Sequence, residues 1–482
     1  MKSLVRKLGL ILAITVLAGV LRLPNLGEVN LYNDEYYQFE AAVGWLKTGD
    51  WVRWDYYAEA GDKPYERAKL FMYQVAGSIV VFGENEFAAR LPAALWGILL
   101  IPITSLIVLR ISKHELIAYG TGLVLAFDQL SIGLSRYVRM YSMLMVLSIV
   151  LVFTIYQLIE SQGWKKRLLY GVAAASTAGV AVLIFKELTL ALLAALAVYV
   201  TVRMALFLVN RQPVDRPWTL AWIIGAALGT IALILTVLGI NVLPLDAAII
   251  RTLPHWSYML DLFSSWQVPA IAAGFAVIGL GMAVRQVRSF IGVSAITGVV
   301  VLVYFTFFSH RWDAQRYVSV VIPMISLMMV VGMVTTLRFL FELLPRPIWL
   351  RYSLIIPLAI LTGPVVSFSY ETDYPDMRTA YAYVAERIQP GEVVLMQGPR
   401  FYYWPDSSIP VYKLGGYKSL TLPEFKALTK RGTNGGWVIY NATHQRHLRD
   451  NIKTYVANRF DQINEVAETG VLVFHFTPED LK

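Results

Sequence analysis

Eleven apolar runs, each about as long as a bilayer is thick, govern what this chain can become. A helix needs about 20 mostly apolar residues to cross roughly 30 Å of hydrocarbon. Such runs occupy 8–23, 88–109, 115–134, 140–159, 168–185, 188–209, 218–240, 268–284, 290–308, 317–337 and 349–369. In lipid every backbone N–H and C=O must be satisfied within the segment, so the runs are read as helices. Of the 482 residues 57% are apolar and only 16% charged, whereas a soluble domain carries about 25% charged residues. The fold class is therefore a polytopic α-helical membrane protein, with about eleven spans plus interfacial helices. The absence of cysteine removes disulfides, thiol nucleophiles, iron–sulfur clusters and cysteine-ligated zinc from consideration.

A twelfth, shorter run at 68–83 decides the sidedness of everything after it. Suppose it does not cross and the N-terminus is cytoplasmic. The cytoplasmic segments then carry Lys2, Arg6 and Lys7, Arg110 and Lys113, Lys165 to Arg167, Arg203, Arg211, Arg216, Arg285, Arg288, Arg338, Arg346 and Arg351. Beyond the second span, the short outer loops carry Arg136, Arg139, Lys186, Arg251, Arg311 and Arg316. Sixteen against six follows the positive-inside rule, so 68–83 is read as an interfacial or re-entrant helix. The same bias absorbs the net charge of +9, and no nucleic-acid partner is expected. No small-residue cleavage site follows the first run, only Arg22-Leu23-Pro24-Asn25, which makes it an uncleaved span.

Two segments lie outside the membrane in this reading. The loop 24–87 is rich in Tyr, Trp and acidic residues and is grouped with the transmembrane portion, 1–370. The stretch 371–482 is read as a small extracytoplasmic α/β domain. Within it, 376–389 has helical periodicity and stops at Pro390-Gly391. The runs 392–396, 436–440 and 471–476 read as short strands, with helices at 422–430 and near 444–459. No internal repeat is visible, which counts against a transporter, since many transporter folds are built from repeats.

Ionisable groups near membrane depth are costly, and each is a candidate for function. At the outer ends of the spans they collect on one side: Asp34 and Glu35 in Tyr32–Tyr37, Arg136 and Arg139 in Ser135–Tyr141, Lys186 and Glu187 between the fifth and sixth spans, and His310, Arg311, Asp313 and Arg316 before the tenth. A carboxylate pair facing several cations suits a phosphate-handling site. Transfer of a sugar from a polyprenyl phosphate to a hydroxyl needs a base for the hydroxyl proton. It also needs cations against the charge developing on the departing phosphate. A lipid donor explains the lack of any nucleotide-binding glycine pattern. Plainer readings stand beside these. Arg136 and Arg139 can snorkel to headgroups, Lys186 and Glu187 can neutralise each other, and acids favour a helix N-terminus such as the one expected at 36–47. Asp128 is read as scaffold, pairing with Arg136 or Arg139. The aromatic clusters at 51–57 and 401–404 are read as interfacial belts or domain surface. His444 and His447 lack a third ligand, and Asn441-Ala442-Thr443 is too common a pattern to carry weight.

The chain resembles the membrane glycosyltransferases of the C superfamily, in particular dolichyl-phosphate-mannose protein mannosyltransferases and bacterial lipid A aminoarabinose transferases. The resemblance rests on Asp34-Glu35-Tyr36, on the stretch 67–97 with its "FG" and "ARLP", on Ser135-Arg136-Tyr137-Val138-Arg139-Met140-Tyr141, and on Phe185-Lys186-Glu187. It implies that Asp34 is the general base and Glu35 its supporting carboxylate, with inversion at the anomeric carbon. It also implies that Arg136, Arg139 and Lys186 hold the donor phosphate. Relatives often start the aromatic helix with Lys-Pro-Pro. Here Arg67 stands at that place without a proline and Lys63-Pro64 lies a turn upstream, so Arg67, Lys69 and Lys63 stay open for that role. Arg311 and Arg316 are added on physical grounds, as outer-face cations. Expected partners are a polyprenyl-phosphate-linked sugar, a glycan, lipid or protein acceptor, and the bilayer. Such enzymes vary in metal dependence; no ligand cluster is visible, so no cofactor is assigned and a divalent metal stays open. The alternative class is a lipid-linked-sugar flippase or transporter.

The topology is testable in this cysteine-free chain. Cysteines introduced by Arg311→Cys and Leu420→Cys should react with an impermeant maleimide on intact cells, and one introduced by Lys166→Cys should not. Labelling at 166 alone would invert the topology.

Overall fold

The computed structural model describes residues 2–32, 34–209, 262–264, 266–286, 289–307, 315–342, 355–362, 375–414, 420–441 and 448–482. The expected span 218–240, together with His310, Arg311, Asp313, His444 and His447, lies outside the described residues. The chain divides into two compact units. The first takes Met1–Pro24, Arg67–Gln74 and Arg90–Ser367; the second takes Asn25–Glu66, Val75–Ala89 and Phe368–Lys482.

The first unit is a bundle of apolar helices. Among the described residues, five helices are long and apolar enough to cross a membrane: Glu86–Ser112, Tyr141–Glu160, Trp164–Ile184, Lys186–Leu206 and Arg316–Glu342. Pro269–Ala283, Phe290–Thr306 and Lys69–Phe82 are shorter apolar helices. Ile355–Thr362 is the described part of the expected run 349–369. Within the last long segment 89% of the apolar window is buried, against 17% for Trp164–Ile184. The former is thus central, and the latter presents Leu168, Leu169, Val172 and Leu183 outward. The centre is packed backbone to backbone. A Cβ on Gly279 would stand 1.9 Å from the Met328 carbonyl oxygen, and one on Gly332 1.9 Å from that of Phe275. Only glycine lets Pro269–Arg285 and Ile322–Glu342 approach so closely, the small-residue packing expected where hydrophobicity gives helices no preference for one another over lipid.

The run 115–134 differs from the single span expected of it. It is two helices, Glu115–Phe127 and Gln129–Ser135, bent by 61° at Asp128. Asp128 has extended backbone (φ −61°, ψ 113°), and its carboxylate accepts the Ser131 N–H at 2.6 Å. A side chain that caps the next helix competes with continuing the first one, and here the cap wins.

The second unit is α/β. Strands β1 (Val52–Asp55) and β2 (Ala60–Pro64) form an antiparallel hairpin. Strands β3 (Val393–Met396), β4 (Val411–Lys413), β5 (Gly436–Asn441), β6 (Asp461–Gln462) and β7 (Val471–Phe476) form one sheet in the order β4-β3-β5-β7-β6. β3 runs parallel to β4 and β5, while β7 is antiparallel to β5 and β6. Leu395, Val438, Tyr440, Phe474 and Phe476 meet Phe425, Ile452 and Val456 from the helices Leu422–Thr429 and Asp450–Arg459 in a common core. Helix Met377–Arg387 starts at the expected place, its first turn capped by Asp376, which accepts the Thr379 N–H. Thr421 and Glu424 form a reciprocal capping box on Leu422–Thr429. Asn441 of the formal sequon lies buried in β5, opposite Val471. The aromatic clusters are partly interior: Trp51 is buried and stacks on Trp45, and Phe401, Tyr403 and Trp404 are buried, while Trp54, Tyr56, Tyr57 and Tyr402 are half-buried.

Candidate active site

The acidic pair opens the helix Asp34–Thr48 of the second unit. Both acids sit in its first turn, where exposed N–H groups and the macrodipole favour negative charge. Their surroundings differ. Glu35 is fully buried, and its Oε2 accepts the Tyr32 N–H at 3.1 Å, so this carboxylate fastens the chain just before the helix. Asp34, the first helical residue, is half-buried. The base and the supporting acid of the sequence reading therefore occupy distinct environments.

Residues from the C-terminal segment pin this helix within the same unit. The Tyr403 hydroxyl accepts the Leu31 N–H at 2.6 Å, and the Tyr36 hydroxyl accepts the Tyr402 N–H at 2.9 Å. Asn30 Nδ2 donates to Asp376 Oδ1 at 2.8 Å. The Asp376 carboxyl sits below its ordinary range: burial opposes ionisation, but hydrogen bonds from Thr379 and Asn30 and the charge of Arg378 outweigh it. Glu86 and Arg378 form an ion pair. The Arg400 guanidinium lies 4.7 Å from the Tyr36 ring centre and 5.4 Å from that of Tyr37, while Arg53 lies 4.1 Å from the Tyr37 ring on which both converge.

One turn beyond the acid pair stands a carboxylate that the sequence reading passed over. Glu40 is buried, and its Oε2 accepts from Arg53 Nε at 2.7 Å and Nη2 at 2.5 Å. Burial pushes its carboxyl up to about 7, and the charges of Arg53 and Arg400 hold it from rising further. In sequence Glu40 is one acid in an amphipathic helix; only the fold reveals that its face is inward.

The cations lie mainly in the first unit, which holds Arg67, Lys69, Arg136, Arg139, Lys186 and Arg316; Lys63 belongs to β2 in the second. Arg136 and Arg139 occupy the turn between Gln129–Ser135 and Tyr141–Glu160. Arg139 is buried, at 4% exposure. Arg136 is half-buried, and its Nη1 donates to the carbonyls of Arg22 and Pro24 at 3.1 and 2.6 Å. Lys186 is exposed at the first position of Lys186–Val209, where extended Phe185 ends the preceding helix. Arg316 lies 5.4 Å from the ring centre of its neighbour Tyr317.

Three rings bring these stretches together. Tyr141 lies 6.5 Å from Phe185 and 6.3 Å from Tyr317, and Phe185 lies 5.9 Å from Tyr317, centre to centre. Tyr141 follows Arg139 by two residues, Phe185 precedes Lys186, and Tyr317 follows Arg316. Three stretches that each carry a cation and lie far apart in sequence thus meet at one aromatic cluster, two of its ring pairs edge-to-face and the third tilted. Arg67 and Lys69 flank Ala68, whose φ of 55° turns the chain sharply into Lys69–Phe82. That helix reaches Tyr141–Glu160 further along, through Gln74 and Met143 at 3.6 Å. Asp128, expected to pair with Arg136 or Arg139, instead caps its own helix and feels the charge of Arg22. Among the described residues, no three His, Asp or Glu side chains are grouped as metal ligands.

Residues 65–260 match the family described as dolichyl-phosphate-mannose-protein mannosyltransferase. Two solved structures align along nearly the whole chain. ArnT from Cupriavidus metallidurans in the apo state has a TM-score of 0.62 at 15% identity, covering 97% of this chain and 98% of ArnT. ArnT from the same organism bound to undecaprenyl phosphate has a TM-score of 0.60 at 14% identity, covering 98% and 99%. The chain has the ArnT fold. No curated protein sequence is matched. The resemblance to C-superfamily membrane glycosyltransferases, drawn from four short motifs, accordingly stands on a family match and on the ArnT-like fold.

The buried Glu40 gives this region a pH signature. Between about 4.5 and about 7 the folded chain holds a proton on Glu40 that the unfolded chain has released, so this group's contribution to stability falls as pH rises through that window. Thermal unfolding of wild type and Glu40→Gln from pH 5 to pH 8 should show the variant gaining on wild type as pH increases. A pH-independent difference would contradict the protonated Glu40.

Proposed function

We propose that this chain is an integral-membrane glycosyltransferase that moves a sugar from a polyprenyl-phosphate donor to an acceptor hydroxyl on the extracytoplasmic side. The observation that carries the reading is the aromatic cluster Tyr141–Phe185–Tyr317, which holds the stretches bearing Arg139, Lys186 and Arg316 together. A bundle of apolar helices has little reason to gather cations unless an anion is to be met there. The ArnT fold supports the same reading, since one ArnT structure holds undecaprenyl phosphate.

The proposed step is a single displacement. Asp34 takes the proton of the acceptor hydroxyl as its oxygen attacks the anomeric carbon from the face opposite the phosphate. The bond from that carbon to the phosphate oxygen breaks, configuration inverts, and polyprenyl phosphate leaves with one more negative charge. Arg139, Lys186 and Arg316 offset that charge, and arginine does so with a forked donor set. Arg136 belongs to the same proposed set, while its Nη1 also serves the carbonyls of Arg22 and Pro24. Arg311 and one of Arg67, Lys69 and Lys63, the choice among the three staying open, complete the proposed set of phosphate-binding cations. Glu35, buried and bound to the Tyr32 N–H, keeps the start of the base's helix in place rather than accepting the proton itself. The proposed acceptor is a glycan, lipid or protein hydroxyl.

With a polyprenyl-phosphate sugar and purified protein in lipid, Asp34→Asn should lower kcat by about 10²- to 10⁴-fold, the usual range for a lost general base. Donor binding and thermal stability should persist. Undiminished transfer by the variant would defeat the assignment, and lipid translocation by a wild type that transfers nothing would favour the transporter class.

A further inference from the structure

Two arginines in the first unit each bond carbonyls at the end of another helix. Lys2–Arg22 ends on Arg22, whose side chain is wholly buried. Its Nη1 donates to the Ala126 carbonyl at 3.1 Å, and its Nη2 donates to the Leu125 carbonyl at 3.0 Å and to Ser131 Oγ at 3.2 Å. Leu125 and Ala126 belong to the last turn of Glu115–Phe127, where carbonyls lose their helical partners. The 61° break therefore exposes acceptors that Arg22 satisfies, while Ser131, in the next helix, is held by the same guanidinium. In the other direction, Arg136 follows the broken pair and donates to the carbonyls of Arg22 and Pro24, at the end of the first helix. Gly97 closes the arrangement: a Cβ there would stand 2.3 Å from the Ser135 Cβ and 3.2 Å from Arg22 Nε.

We infer that Arg22 is a positioning residue for the turn Ser135–Tyr141. It replaces the hydrogen bonds that the break removes, and with Arg136 it fixes where that turn, and hence Arg139, stands. The inference rests on the reading of this turn as part of the donor-phosphate site. An arginine sitting just after an apolar run is ordinarily a snorkelling flank. Complete burial and contacts with residues more than a hundred positions away are incompatible with that role. The task also suits arginine alone. Its planar fork reaches two adjacent carbonyls and a hydroxyl at once, whereas a lysine ammonium is a point donor on a flexible stem.

The test uses the full chain in lipid nanodiscs, with undecaprenyl phosphate as the probe. In Arg22→Met, amide exchange should accelerate over residues 129–140 and stay unchanged in Tyr141–Glu160. The Kd for undecaprenyl phosphate should rise about tenfold, as for loss of a charge-assisted hydrogen bond, and donor KM should rise with it more than kcat falls. Arg22→Lys should be intermediate in both, and it decides the matter if Arg22→Met does not fold. Unchanged exchange over 129–140 would overturn the clamp. Accelerated exchange with an unchanged Kd, in a protein whose Arg139→Met variant binds the lipid weakly, would overturn the link between clamp and site. An Arg139→Met variant with full affinity would instead defeat the phosphate assignment, with exchange still deciding the clamp.

Discussion

An apolar helical bundle has no water within it to receive a charge or a broken backbone hydrogen bond, and this constraint shapes the first unit. Where Glu115–Phe127 stops, its last carbonyls meet the Arg22 guanidinium; where Lys2–Arg22 stops, its carbonyl meets Arg136. In the second unit the buried Glu40 is held by Arg53, and the buried Glu86 by Arg378. A buried charge whose partner is removed destabilises a protein far more than an exposed pair stabilises it. Each of these pairs is thus a fixed point of the fold rather than an ornament of its surface.

Arg22 and Arg53 are committed to carbonyls or carboxylates of the protein, and Arg136 is committed in part. Arg139, Lys186 and Arg316 lie in stretches whose rings Tyr141, Phe185 and Tyr317 meet in one cluster. In the proposed function, the cationic stretches around this cluster receive the phosphate of the donor. Of the two acids, Glu35 is buried and accepts a backbone N–H, and Asp34 is half-buried at the first position of the helix.

Much of this was legible in the sequence, because the strongest signals are the most physical ones. Long apolar runs dictate helices, and the runs near 140–159, 168–185 and 188–209 lie where Tyr141–Glu160, Trp164–Ile184 and Lys186–Val209 are found. Pro390-Gly391 marked a helix end, and short apolar runs placed the central strands β3, β5 and β7. The edge strands β4 and β6, three and two residues long, carry too short a pattern to read. The break at Asp128 was hidden because hydropathy does not register a cap. Arg22 and Glu40 escaped notice for a related reason: a charge beside an apolar run or within an amphipathic helix has an inexpensive exposed reading, and burial depends on which distant residues arrive. The aromatic clusters were legible only in part, since Trp51 and Trp404 are buried, which composition alone cannot foresee, while Trp54, Tyr56 and Tyr57 stay half-buried.

The central claim is that Arg139 and Lys186 are held in place to receive a lipid-linked phosphate. A density map of the protein in nanodiscs with undecaprenyl phosphate tests it most directly. The account predicts a phosphate headgroup against the guanidinium of Arg139 and the ammonium of Lys186, with the isoprenoid tail running along the apolar helices. A lipid phosphate seated elsewhere, with Arg139 turned toward protein carbonyls as Arg22 is, would contradict it.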